Sequence, residues 1–306
     1  MCNILITGYN GFIGSNLTST LKENYLIGVD LEKGSIINEH FNWNEINKIN
    51  TIDCIIHLAG KAHDTKSTTS TQEYFDINVG LTKQIFQFFL NSTAEKFIFF
   101  SSVKAVADTV SGAYLTEDTL PIPGTPYGKS KLEAERYILE KDLPSGKKVY
   151  IIRPCMIHGS GNKGNLNLLY KLTKLGLPWP LGAFENRRSF TSIQNLLFVI
   201  SEFIEKDIKP GIYQMADDET LSTIEIVRLM ANSMNRKAHI WNISPKMINF
   251  IAKVGDKFGF PLNSERLKKL TESYIVSNQK LKMALNIDKM PCTATDGMKK
   301  TFISFF

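Results

Sequence analysis

Cysteine is scarce in this chain. The four residues (Cys2, Cys54, Cys155 and Cys292) lie far apart, two of them in apolar strand-like runs. No CxxC or Cys/His spacing of metal-ligand type occurs. This excludes a disulfide-stapled scaffold and a structural metal module, and it fits reduced thiols in a cytoplasmic protein. Long apolar runs are missing too. The unbroken ones are short, such as Phe97–Phe100, far from the roughly 20 residues needed to span a bilayer. A strand pattern begins at Asn3, so no signal peptide is expected. Charge of one sign is not concentrated either. No stretch of Lys/Arg exceeds two residues, which argues against a nucleic-acid surface. Internal repeats and low-complexity linkers are absent.

What remains is an ordinary globular composition: 306 residues, 43% hydrophobic and 22% charged. A chain of this length buries a large core and tends to split into two lobes. Its net charge of +6, spread along the sequence, suits a small anionic substrate. Short β-rich runs apolar on both faces occur at Asn3–Thr7, Tyr25–Asp30, Asp53–Ala59, Lys96–Ser102 and Lys148–Pro154. Helical patterns separate them at Ile13–Lys22, Thr71–Leu90 and Pro126–Glu140. This order predicts an α/β fold with a doubly wound parallel sheet of Rossmann type. Gly211–Ala216 reads as a strand returning to that sheet. Asn165–Gly176 and Thr223–Asn235 read as helices of a smaller, mostly helical lobe. The predicted division gives residues 1–155 plus about 190–216 to dinucleotide binding, and about 156–189 plus 217–306 to the substrate. Ser244–Leu262 is amphipathic and is expected to pack on its own domain rather than lie on a membrane surface.

Gly8-Tyr9-Asn10-Gly11-Phe12-Ile13-Gly14 follows the first strand and opens the first helix. Gly8 permits a tight turn, Gly11 lets backbone approach a pyrophosphate, and Gly14 lets helix and strand pack closely. The pyrophosphate would rest on free N–H groups at the helix N-terminus. Asp30 ends the next strand about 20 residues further on, where a carboxylate accepts ribose hydroxyls of NAD and repels the 2′-phosphate of NADP. Lys33 nearby weakens that discrimination slightly.

Tyr127 and Lys131 form a Tyr-x-x-x-Lys pattern, which places both side chains on one helix face. Pro126 favours a helix start there. Positive charge from Lys131, the helix N-terminus and an oxidised nicotinamide would favour tyrosinate. Such a tyrosine can exchange a proton with an alcohol oxygen while hydride moves at carbon. Ser101 and Ser102 end a strand whose carboxyl end should border the crevice. Each pattern is weak alone, and their conjunction is specific.

Together these residues resemble the extended branch of the short-chain dehydrogenase/reductase superfamily. Within it they resemble the NAD-dependent sugar-nucleotide epimerase/dehydratase family of the UDP-galactose and UDP-glucose 4-epimerase type. The shared features are the Gly8/Gly11/Gly14 loop, Asp30, His57-Leu58-Ala59-Gly60, Asn78, Ser101-Ser102, Tyr127-x-x-x-Lys131 and Arg153-Pro154. The resemblance implies a catalytic triad of Ser102, Tyr127 and Lys131, with Tyr127 as acid/base and Lys131 also on the nicotinamide ribose. It implies cofactor contacts from Phe12, Ile13, Asp53 near adenine, Ala59, Gly60, Asn78, Ser101 and Pro154, and no metal. It implies substrate contacts from Lys104, from Asn165 in Gly164-Asn165, and from Arg188 in Arg187-Arg188-Ser189-Phe190. Arg188, rather than Arg187, aligns with the arginine that grips the substrate pyrophosphate through its planar fork. A homodimer through a helix bundle is implied as well, with Thr71–Leu90 and Pro126–Glu140 as candidates; Phe86, Phe88 and Phe89 offer it apolar surface or else serve the core.

There are departures. Dehydratase members carry an Asp-Glu pair after the catalytic hydroxyl residue, and here Val103 and Lys104 stand there. Elimination of water is therefore not expected. The predicted activity is transient oxidation at C4 of a UDP-hexose or UDP-N-acetylhexosamine, followed by reduction from the other face. Two alternatives are carried beside it: a single NAD(P)H-dependent reduction of a 4-keto nucleotide sugar in polysaccharide biosynthesis, motivated by Lys104, and a non-catalytic cofactor-binding scaffold.

Overall fold

The computed structural model describes residues 1–34, 36–62, 70–162, 165–258 and 263–305, with backbone alone at 165 and 168. Seven strands form one sheet: β1 (Asn3–Thr7), β2 (Tyr25–Val29), β3 (Glu39–Phe41), β4 (Cys54–His57), β5 (Lys96–Phe100), β6 (Lys148–Pro154) and β9 (Gly211–Met215). Their order is β3-β2-β1-β4-β5-β6-β9, and every pairing is parallel. The period-two geometry of a strand sends alternate side chains to opposite faces. Here Ile4, Ile6, Ile56, Ile98 and Tyr150 enter one core, while Leu5, Ile55, Phe97, Phe99 and Ile151 enter the other. Both faces are apolar because helices cover both. One face is covered by α1 (Phe12–Thr20) and α5 (Ile193–Glu205), the other by α2 (Thr71–Asn91) and α3 (Pro126–Leu139).

Strand β1 pairs with β2 on one side and β4 on the other, so the chain reverses its winding direction there. Such a reversal opens a crevice outside the carboxyl ends of the strands. The return of Gly211–Met215 to the sheet beside β6 agrees with the pattern read from the sequence.

The second lobe holds α4 (Asn165–Lys174), α6 (Thr223–Ser233), α7 (Pro245–Phe258), α8 (Ser264–Thr271) and α10 (Ala294–Ile303). A small parallel pair, β7 (Met156–His158) with β8 (Phe190–Ser192), joins it to the sheet. Leu166, Tyr170, Met230, Met298 and Phe302 form its core beside Phe190. One assignment shifts. The helix α9 (Gln279–Leu285) and the turn after it lay in the predicted substrate lobe, yet Leu281, Leu285 and Met290 pack into the sheet's own core. Helix α7 packs by one stripe only: Ile248, Ala252 and Gly255 are buried, and its other apolar residues are not.

Candidate active site

A cavity of about 610 Å³ lies along the carboxyl edge of the sheet. Its first wall is the loop between β1 and α1. Gly8 has φ +70°, and a Cβ there would stand 2.7 Å from the Ala59 nitrogen. A Cβ at Gly14 would stand 2.5 Å from the Gly8 oxygen. Only glycine lets these turns close on each other. Gly11 caps α1 without any side-chain hydrogen bond, and no acid lies in the first turn. The first N–H groups of a helix have no intrahelical acceptor. Those of Phe12, Ile13 and Gly14 belong to residues that line the cavity, so a diphosphate fits here on backbone alone. Asp30 stands beside this loop, its carboxylate accepting from the Asn10 nitrogen at 3.0 Å and the Leu31 nitrogen at 2.8 Å.

The opposite wall is built by β5 and α3. Thr125 caps α3, accepting from the Gly128 nitrogen at 3.2 Å, and Pro126 begins the first turn. Gly128 is required by close approach, since a Cβ there would lie 2.3 Å from the Lys104 oxygen. This contact seats the first turn of α3 on the turn that follows Ser102, and Ser102, Tyr127 and Lys131 all line the cavity. The Lys131 ammonium donates to the Phe100 oxygen at 2.8 Å. Burial lowers its pKa to about 8, against the opposing pull of Glu135. Glu135, one turn beyond, is buried and accepts from Arg153 Nε at 2.9 Å and Nη2 at 2.5 Å, and also from the Ser101 hydroxyl. His57 is buried below, bonded to Thr7 at 2.6 Å and Thr82 at 3.0 Å. Burial first, and Lys131 second, hold it neutral.

The far end of the cavity carries two cations. Lys104 donates to the Asp108 oxygen at 2.9 Å and lies 4.3 Å from the centroid of the Tyr274 ring. Arg188 lines the cavity and donates to the Lys269 oxygen at 2.8 Å. Burial lowers the pKa of both. Arg187 points away and pairs with Glu225 at 3.2 Å, both half in solvent. The two neighbours thus face opposite ways, with the Arg188 backbone bridged to Leu221 and Tyr274.

Several expectations require correction. Asp53 precedes β4 at its amino end, where its carboxylate accepts from the Asn3 nitrogen at 2.7 Å. In a parallel sheet that is the edge opposite the crevice, about 13 Å away along a four-residue strand. The residues that do leave β3 at the crevice edge are Asn42 and Trp43. Asn78 is buried on α2 with its amide bonded to the Lys61 backbone at 2.7 and 3.1 Å and to Ser130 at 2.9 Å. It ties the loop after Gly60 to α3 and does not line the cavity. Ser101 lines the cavity, with its hydroxyl bonded to Glu135. Phe86 and Phe89 are fully buried in the core, so they offer no dimer surface. The Tyr127 phenol is not made acidic by the chain alone. Burial raises its pKa, and the Ser102 hydroxyl only partly offsets that. Gly164 and the Asn165 side chain lie outside the described residues; the backbone of Asn165 begins α4. Ala59 packs against Gly8, while Gly60 and Pro154 line the cavity. Asn162 and Tyr274 line it too.

A glycine loop at the reversal point of a parallel sheet, facing a Ser–Tyr–Lys cluster across one cavity, defines a dinucleotide-dependent enzyme of the extended short-chain dehydrogenase type. The chain belongs to the NAD dependent epimerase/dehydratase family, whose signature matches residues 4–216. It is 31% identical to a UDP-glucose 4-epimerase of Vibrio cholerae, across 99% of this chain and 95% of that one. It is 29% identical to the N-acetyl-alpha-D-glucosaminyl-diphospho-ditrans,octacis-undecaprenol 4-epimerase of Escherichia coli O157:H7, across 77% and 73% of the two. Among solved structures, a UDP-N-acetylglucosamine 4-epimerase of Bacillus cereus superposes with a TM-score of 0.78 at 18% identity, covering 99% of each chain. A UDP-glucuronic acid 4-epimerase of the same organism, in complex with NAD, gives a TM-score of 0.75 at 19% identity, covering 99% and 98%.

Proposed function

We propose that this chain is an NAD-dependent 4-epimerase of sugars carried on a diphosphate, with UDP-hexoses or UDP-N-acetylhexosamines as the substrate class. The observation that carries the proposal is the meeting of three groups in one cavity: the Gly8–Gly14 loop, the Ser102/Tyr127/Lys131 cluster and the Lys104/Arg188 pair. The relatives named above support it, since they are epimerases at C4 of diphosphate-linked sugars. Asp30 supports NAD over NADP.

In this reading Lys104 and Arg188 hold the substrate diphosphate, and the hexose reaches back toward α3. Ser102 holds O4 by a hydrogen bond. Tyr127 removes the O4 proton as hydride leaves C4, the resulting ketone turns in the cavity, and Tyr127 returns the proton as hydride is restored to the other face of C4. When bound, NAD would supply the hydride acceptor and donor at C4 and a further positive charge beside Tyr127. Lys131 positions the cofactor ribose and Phe12, Ile13 and Gly14 hold its diphosphate. Net redox change is zero, so the cofactor stays bound between turnovers.

The test is interconversion of UDP-glucose, UDP-N-acetylglucosamine and their C4 epimers by protein verified to contain NAD. Product from one pair, with no stoichiometric change at the reduced-nicotinamide band, is expected. Steady loss of that band with a 4-keto sugar would assign a reductase instead. The proposal includes a cytoplasmic location and a homodimer through the outer faces of α2 and α3. Among the described residues no helix is long and apolar enough to cross a membrane.

A further inference from the structure

We propose that the outer face of α7 docks on an anionic lipid bilayer and holds the substrate end of the cavity against it. The helix carries two apolar stripes. Ile248, Ala252 and Gly255 form the buried one, packed on the second lobe beside Trp179, Leu181 and Leu267. Met247, Phe250, Ile251, Val254 and Phe258 recur at the spacing of a second stripe, covering about 100° of arc at 100° per residue. Its large members face solvent: Met247 is 51% exposed, Phe250 68%, Ile251 41% and Phe258 70%. A surface helix ordinarily buries its apolar stripe, and contiguous exposed apolar surface marks a docking site.

Charge identifies the occupant. Lys246, Lys253 and Lys257 fall together along one edge of the exposed stripe, turned about 20–60° beyond Phe250 by the same helical spacing. None of the three has an acidic partner among the described residues. Asp256 is the only carboxylate on α7, and it is engaged by the backbone nitrogen and hydroxyl of Ser264 at 2.9 and 2.6 Å. A second copy would therefore bring three like charges and no free carboxylate from this helix. An apolar stripe bordered by lysines matches a bilayer boundary with anionic headgroups. The helix also stands near the chemistry. It packs on α8, whose Lys269 oxygen accepts from the cavity residue Arg188 at 2.8 Å.

The test is flotation of the full-length protein with vesicles of phosphatidylcholine alone or of equal parts phosphatidylcholine and phosphatidylglycerol. We expect co-flotation with the anionic vesicles only, weakening as salt rises. Each of Lys246→Gln, Lys253→Gln and Lys257→Gln should lower binding roughly fivefold. Phe250→Glu should abolish it, while the melting temperature and epimerisation of soluble UDP-sugars stay at wild-type levels. Failure of the folded protein to float with anionic vesicles would overturn the proposal, as would flotation indifferent to Phe250→Glu. A dimer that Phe250→Glu converts to monomer, with no flotation, would assign the stripe to a second copy instead. Because soluble turnover is read separately, these outcomes leave the catalytic reading to its own test.

Discussion

Replacing Lys131 with methionine should make the protein more stable and nearly inactive at once. The ammonium is buried, with its pKa lowered to about 8 from an ordinary 10.5. One pKa unit is about 1.4 kcal/mol, so keeping the charged form in this site at neutral pH costs about 3 kcal/mol relative to the unfolded chain. Methionine fills the same space without charge. It removes the donor to the Phe100 oxygen, a loss of about 1 kcal/mol. The net expectation is a gain of about 2 kcal/mol, on the order of 4 °C in Tm. The sign with pH follows from the direction of the shift. A lysine whose folded pKa lies below its unfolded value is penalised while charged, so the wild type gains stability as pH rises from about 8 to about 10.5. The advantage of Lys131→Met should therefore be full at neutral pH and shrink across that window. Thermal melts of cofactor-free protein at neutral pH and at about pH 10 read both quantities. A variant that melts below wild type at neutral pH, or an advantage that does not change with pH, refutes the reasoning. On the same samples, kcat should fall about 100-fold or more.

Tyr127→Phe should lower kcat by about two to four orders of magnitude while leaving bound NAD in place, measured by turnover beside the nucleotide content of the purified protein. Arg188→Ala should raise KM at least tenfold, whereas Arg187→Ala, which loses an exposed pair with Glu225 and a long bond to the Thr220 oxygen, should leave KM within twofold; steady-state kinetics on both separates the two arginines. Arg153→Met leaves the Glu135 carboxylate buried without its partner, and should cost about 3–5 kcal/mol in a denaturant titration. Replacing both members of that pair with apolar residues should recover most of the loss, since burial then penalises no charge.

How far the sequence carried the fold depended on how many residues each signal spans. The sheet was legible because β1, β4, β5 and β6 are apolar on both faces over four or more residues, and only a parallel sheet covered on both sides needs that. The three-residue strands β3, β7 and β8 carry no measurable period, so nothing in the chain announced them. Asp53 was misplaced for a related reason. A motif says that an acid stands near a strand, and which end of the strand it occupies is settled only by register against Asn3.

The gap at Tyr127 is of another kind. Spacing alone shows that Tyr127 and Lys131 share a helix face, but it is silent on the dielectric around them. Burial raises the pKa of the phenol and lowers that of the ammonium, so each moves toward its neutral form in the free protein. At neutral pH the pair therefore rests as a neutral phenol beside a mostly protonated ammonium, and the full activation of Tyr127 belongs to the loaded enzyme. A phenol already ionised in the cofactor-free protein would hold a buried charge, at a cost comparable to that of Lys131. Coupling ionisation to cofactor occupancy confines that cost to the loaded enzyme. For that reason Lys131→Met separates the two terms: it removes the standing penalty in the free protein and the catalytic benefit in the bound one.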